Sequence, residues 1–160
     1  MSADMFLKIE GVEGEAVDHK HGKEIDILAW SWGMSQSGSM HIGGGGGAGK
    51  VAIQDISLTK YVDRSSPNLI NTCCTGKHYP TAIITVRKAG DKPVEYFIIT
   101  MTDVIVTSIS TGGSGGEDRL TENVSLNFAK VKVEYTPQGK DGTAGASVET
   151  AFNIEENTAM

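Results

Sequence analysis

The sequence predicts a mainly β protein: an antiparallel β-barrel, or two packed sheets, with one flanking α-helix. Three observations predict it. Apolar and polar residues alternate with period two in one segment after another, which puts successive side chains on opposite faces of a strand. A single segment combines helical spacing with both a start and a stop signal. Glycine, 20 of 160 residues, gathers in the stretches 38–49 and 112–116, which read as loops between strands.

Met5, Leu7 and Ile9 share one face of a first strand, with Phe6, Lys8 and Glu10 on the other. Residues 24–34 form a second extended run. Residues 51–60 begin with Val51 and Ile53 on one face and continue with Ile56 and Leu58 on the opposite parity. The switch at Gln54–Asp55 predicts a β-bulge. Ala82, Ile84 and Val86 alternate with Thr81, Ile83, Thr85 and Arg87. Residues 94–110 are β-branched and too long for one flat strand, so a bend is expected near Thr102–Asp103. Val124, Leu126 and Phe128 share a face until Val131, Val133 and Tyr135 take over, and the phase change at Ala129–Lys130 predicts a second bulge. Val148, Phe152 and Ile154 suit a short last strand.

The helix is expected between Ser66 as N-cap, with Pro67 at the first helical position, and Gly76 just past its end. Leu69, Ile70, Cys73 and Cys74 form its apolar stripe, expected to cover one open end of the sheet. No internal repeat and no linker interrupts the pattern, so residues 1–160 read as a single domain.

Composition excludes several classes of function. A net charge of −6 lacks the basic footprint that nucleic acid demands and disfavours an anionic membrane surface. No segment approaches the roughly 20 apolar residues of a membrane-spanning helix. Residues 1–11 have no basic region followed by an apolar one, so cytosolic synthesis is expected, and any export without a cleaved signal peptide. Cys73 and Cys74 are adjacent, which suits neither a metal site nor a mutual bridge. Both are expected to be small apolar fillers.

Gly44-Gly45-Gly46-Gly47-Ala48-Gly49-Lys50 matches most of a phosphate-binding loop. The full pattern needs Ser or Thr next, to hold Mg²⁺, and a helix beyond it. Here Val51 follows, at the head of a strand-like run, so a nucleotide hydrolase is disfavoured. His19 and His21 lack a third ligand nearby in sequence, and no metal is expected. The pair Cys73–His78 is explained by the helix and its exit without nucleophilic chemistry. No serine sits in a Gly-x-Ser-x-Gly elbow. Trp30-Ser31-Trp32 places both indoles on one strand face, as core or interface anchors, and Ala29 and Ser31 on the other. No catalytic residue and no cofactor is expected.

These pieces resemble the haemolysin-coregulated protein (Hcp) family, the tube subunit of bacterial type VI secretion systems. The resemblance runs from residue 4 to about residue 136. It is carried by Asp4–Ile9, by Ile25-Asp26-Ile27-Leu28-Ala29-Trp30-Ser31-Trp32-Gly33-Met34-Ser35, by the loop 37–50, by Lys77-His78-Tyr79-Pro80, and by Ser110–Asn123 with its ending Leu120-Thr121-Glu122-Asn123.

The resemblance implies a β-barrel with a helix on its flank, six copies of which close into a ring. Rings stack into a tube inside a contractile sheath, tipped by a spike trimer, and firing exports the tube. Family members hold small effector proteins in the ring lumen. On that reading the subunit- or ring-contact loop comprises Ser35, Gln36, Ser37, Gly38, Ser39, Met40, His41, Ile42, Gly43 and Lys50. Ala29 and Ser31 are expected to face the lumen and its cargo. The alternative is a small-ligand-binding barrel, which needs a cavity with a few convergent polar groups.

Overall fold

The computed structural model describes residues 3–38, 40, 48–90 and 93–160. In chain order the elements are β1 (Ala3–Ile9), β2 (Ile25–Ser31), β3 (Met34–Gly38), β4 (Ala48–Ile53), β5 (Ile56–Tyr61), α1 (Ser66–Thr75), β6 (His78–Lys88), β7 (Glu95–Gly112), β8 (Thr121–Tyr135), β9 (Val148–Asn153) and β10 (Thr158–Ala159). Six strands close on themselves in the order β8-β5-β2-β1-β6-β7 and back to β8, every neighbour antiparallel. Closure removes the open edges that a flat sheet of this size would leave. The barrel is filled: Leu7, Ile25, Ile56, Ile84, Ile99 and Leu126 are fully buried in one cluster, joined by Leu69 from the helix.

The parity switch at Gln54–Asp55 is not a bulge within one strand. It marks the passage from one sheet to another. Among the described residues β4 pairs only with β3, in a two-stranded sheet, whereas β5 pairs with β2 and β8 in the barrel wall. The changes expected at Thr102–Asp103 and Ala129–Lys130 turn out to be one feature. Tyr79, Val104 and Phe128 are paired across β6, β7 and β8, and all three are buried. So are Ala82, Met101 and Val131, three residues further along each strand. Inward parity therefore flips on three adjacent strands at the same level.

Asp103 sits on that line with φ +54°, a left-handed conformation uncommon for a non-glycine residue. The β7–β8 register does not slip there, so the second expected bulge is a fold across the sheet. The slip in that pair lies at Val106/Ser108. β8 also changes partner at the fold: one edge pairs with β5 up to Leu126 and with β9 from Lys130 onward. Between the two, the Ala129 carbonyl accepts the Ile154 N–H at 2.8 Å.

The helix begins one residue earlier than its sequence signal suggested. Ser65 is the N-cap, and Ser66 lies inside the first turn with its hydroxyl turned to Glu122 at 2.5 Å. Pro67 and Gly76 occupy the expected start and stop, Gly76 at φ +73°. The inward face is Ser66, Leu69, Thr72 and half-buried Cys73, while Ile70 and Cys74 are exposed. Cys74 is thus no core filler. Beneath the helix, Lys60 and Glu122 form a fully buried ion pair, and Asp63 lies 3.1 Å from the Lys60 ammonium.

Candidate functional site: a hydroxyl-lined wall and a projecting hairpin

Ala29 and Ser31 lie on the outer side of β2, exposed, and Trp30 turns inward between them. A register irregularity between Ile27 and Ala29 resets the strand so that this alternation holds. Trp30 stacks on Phe97 with ring centroids 5.8 Å apart. Trp32 follows the end of the strand, packs edge-on against Phe128 and donates its indole N–H to the Gln54 carbonyl at 2.9 Å. Trp30 is therefore an anchor on the inner side, as expected, while Trp32, past the end of the strand, packs against the core from the root of β3.

The outward positions continue across four strands in two rows. Ala29 faces Thr59, which faces Asn123, which faces Ser110. Ser31 faces Ser57, which faces Ser125, which faces Ser108. Directly opposed side chains on one face are the interacting unit of a sheet, and here the two β5–β8 pairs bond to one another. The Thr59 hydroxyl donates to Asn123 Oδ1 at 2.8 Å, and the Ser57 and Ser125 hydroxyls lie 3.3 Å apart. Asp55, beside the rows, accepts from the Thr107 hydroxyl at 2.6 Å and from the Asn127 amide at 2.8 Å. The two rows carry small and polar side chains and no charge. Sequence reasoning found Ala29 and Ser31 but missed the other six. Their signal was present as pairs of small polar residues two apart: Ser57/Thr59, Asn123/Ser125 and Ser108/Ser110.

Where it is described, the segment expected to be a contact loop is mostly β-strand. Ser35, Gln36, Ser37 and Gly38 are strand residues of β3 and Lys50 of β4, paired Met34↔Ile53, Ser35↔Ala52 and Gln36↔Val51. Met40 is a highly exposed turn residue. Ser39, His41, Ile42 and Gly43 lie outside the described residues, as do Gly44–Gly47 of the phosphate-loop-like stretch. The segment that follows that stretch is strand, not the helix a phosphate loop requires.

A two-stranded ribbon is marginally stable alone in water, and both of its edges offer unpaired backbone groups. Every residue of β3 is exposed. At the hairpin root, Trp32, Met34, Val51 and Ile53 face Val131, Val133 and Phe152 across an apolar groove of about 630 Å³.

Comparison with known proteins places this architecture. The family model described as "Type VI secretion system effector, Hcp" matches residues 6–135. The chain belongs to that family. A curated relative, "Protein hcp1" of Pseudomonas aeruginosa, is 63% identical over 159 residues, covering 98% of each chain. Among solved structures, Hcp1 from Salmonella typhimurium superposes with a TM-score of 0.84 at 40% identity, covering 100% of both chains. A structure described as a type six secretion system protein superposes at 0.93 with 31% identity, covering 99% of this chain and 100% of the other.

Proposed function

We infer that this chain is a tube subunit of a type VI secretion system. Six copies close into a ring, and rings stack into a tube that carries effector proteins and is exported from the bacterial cytoplasm without a cleaved signal peptide. The partners are further copies of the chain, effectors held in the lumen, and the spike and sheath of the apparatus. Family membership supports the assembly, and the role asks for no catalysis and no cofactor.

The observation that carries the reading is the pair of rows from β2 to β7. A channel wall must let a folded cargo sit and leave. Small side chains, with the β5–β8 pairs already bonded to each other, present neither a deep apolar pocket nor an unpaired charge to hold it. The rows therefore face the lumen, with Ala29 and Ser31 at their β2 end. Strands β3 and β4 and the groove beside them supply contact with neighbouring copies, burying exposed strand edges in a head-to-tail arrangement that closes.

The test is Ser31→Arg. Its exposed position predicts a fold stability within about 0.5 kcal/mol of the parent and an intact ring in electron micrographs. Effector protection and export are expected to fall sharply. Unchanged cargo protection in an intact Ser31→Arg ring would place the rows elsewhere than the lumen.

A further inference from the structure

The connection between β1 and β2, residues 10–24, is folded against the barrel through two polar clamps of different kinds. Within it, Gly14 N–H donates to the Lys23 carbonyl at 2.7 Å, Lys23 N–H to Ala16 at 2.8 Å, and Ala16 N–H to Glu24 at 2.9 Å. A side chain at Gly14 would run into the Glu24 backbone, so the approach requires glycine.

The first clamp is Asp18 with Arg87 of β6. The guanidinium donates from Nη1 to Oδ2 at 2.9 Å and from Nη2 to Oδ1 at 2.6 Å. The bonds from Arg87 hold the Asp18 carboxyl far below the usual carboxylate range, so this clamp stays charged at any working pH.

The second clamp is His21. Its ring is buried and stacks on Phe6 of β1 with centroids 4.5 Å apart. Nδ1 lies 2.9 Å from Glu24 Oε2, at the end of the connection, and Nε2 lies 2.6 Å from Glu95 Oε1, the first residue of β7. The charged groups facing it are thus Glu24 from its own segment and Glu95 from β7. Arg87 of β6 lies over the Phe6 ring, 5.2 Å from its centroid, and also contacts Asp4 of β1.

A neutral imidazole carries one N–H and an imidazolium two. Both ring nitrogens here meet carboxylate oxygens, so only the cation satisfies both. Deprotonation leaves one carboxylate facing a lone pair and removes the positive charge between two negative ones.

We propose that His21 is a protonation-controlled latch that holds the 10–24 segment to the start of β7, closed when the imidazole is charged and loosened when it is neutral. The latch uses residues of one chain alone and does not rest on the assembly reading. Burial alone pulls the imidazole down, but the hydrogen bonds to Glu95 and Glu24 and the charge of both carboxylates outweigh it, leaving it above its ordinary 6.5. A histidine whose folded pKa is raised contributes stability that is fully present below the unfolded value and lost as pH rises through the folded one.

The test combines an NMR titration of the His21 imidazole with hydrogen exchange at the Gly14, Ala16 and Lys23 amides, corrected for intrinsic rates, between about pH 5.5 and 8.5. The imidazole is expected to titrate above 6.5. Protection at the three amides falls with rising pH, by as much as about tenfold for each unit of that elevation. His21→Gln flattens the profile. Glu95→Gln keeps the packing but moves the imidazole pKa down and shallows the slope, so it decides the matter if His21→Gln does not fold. An imidazole titrating at or below 6.5 would overturn the latch, as would equal slopes in the parent and the variants.

Discussion

The outer wall of β2–β5–β8–β7 and the groove at the root of the β3–β4 hairpin offer opposite chemistries to a partner. On the wall, Thr59 and Asn123, Ser57 and Ser125, and Asp55 with Thr107 and Asn127 answer one another's hydrogen bonds. A partner gains little by displacing them. In the groove, Met34, Val51, Val133 and Phe152 offer apolar surface that water disfavours. On the proposed function this difference separates contact from passage: adhesion to neighbouring copies at one place and a non-adhesive lumen wall at the other. The same economy shows on a single strand. β8 turns Glu122 inward to Lys60 and Ser66 and the adjacent Asn123 outward to Thr59.

Substitutions on the two sides should separate sharply. The largest effect is expected on the inner side of the wall. Glu122→Ala leaves the buried Lys60 ammonium with Asp63 as its one remaining carboxylate and the Ser66 hydroxyl at 3.2 Å, and loss of a buried partner costs about 3–5 kcal/mol. Urea unfolding measures it, and a loss below about 1 kcal/mol would mean that the pair does not anchor the wall.

Next comes the groove. Met34 is 52% exposed, so Met34→Asp should cost the free subunit little. It should weaken association by about 2 kcal/mol or more, roughly 30-fold. Light scattering through a dilution series reads this directly, and unchanged association would take the groove out of the interface.

The smallest effect belongs to the outer rows. Thr59→Ala removes one exposed hydrogen bond and should cost about 0.5–1 kcal/mol, with ring mass unchanged. Dissociation of the ring by this variant would make the wall a contact surface and erase the contrast.

Most of the barrel was legible because period-two alternation is a local property. Trp30 and Ser31 could be assigned to opposite faces from three residues of sequence. The misread parity switches and helix cap share one cause: the meaning of a local signal was set by residues far along the chain. A parity switch at Gln54–Asp55 looks the same whether a strand bulges or leaves for another sheet, and only the pairing of β4 with β3 decides. The changes at Thr102–Asp103 and Ala129–Lys130 could not be recognised as one fold line before β7 and β8 were in register. Ser65 and Ser66 both suit a cap, and the choice between them was made by Glu122, whose carboxylate recruits the Ser66 hydroxyl from 56 positions away. The rows of the wall were half visible, as pairs of small polar residues two apart. That they align needed the registers. His21 and Glu95, 74 positions apart, left no joint signal in the sequence.

The central claim is self-assembly through the hairpin and its groove, and the solution mass of the purified protein tests it most directly. Light scattering coupled to size exclusion should give about six times the 17.0 kDa chain, independent of loading across a wide range. A constant 17.0 kDa species over that range would contradict the ring and leave the hydroxyl rows without a lumen to face.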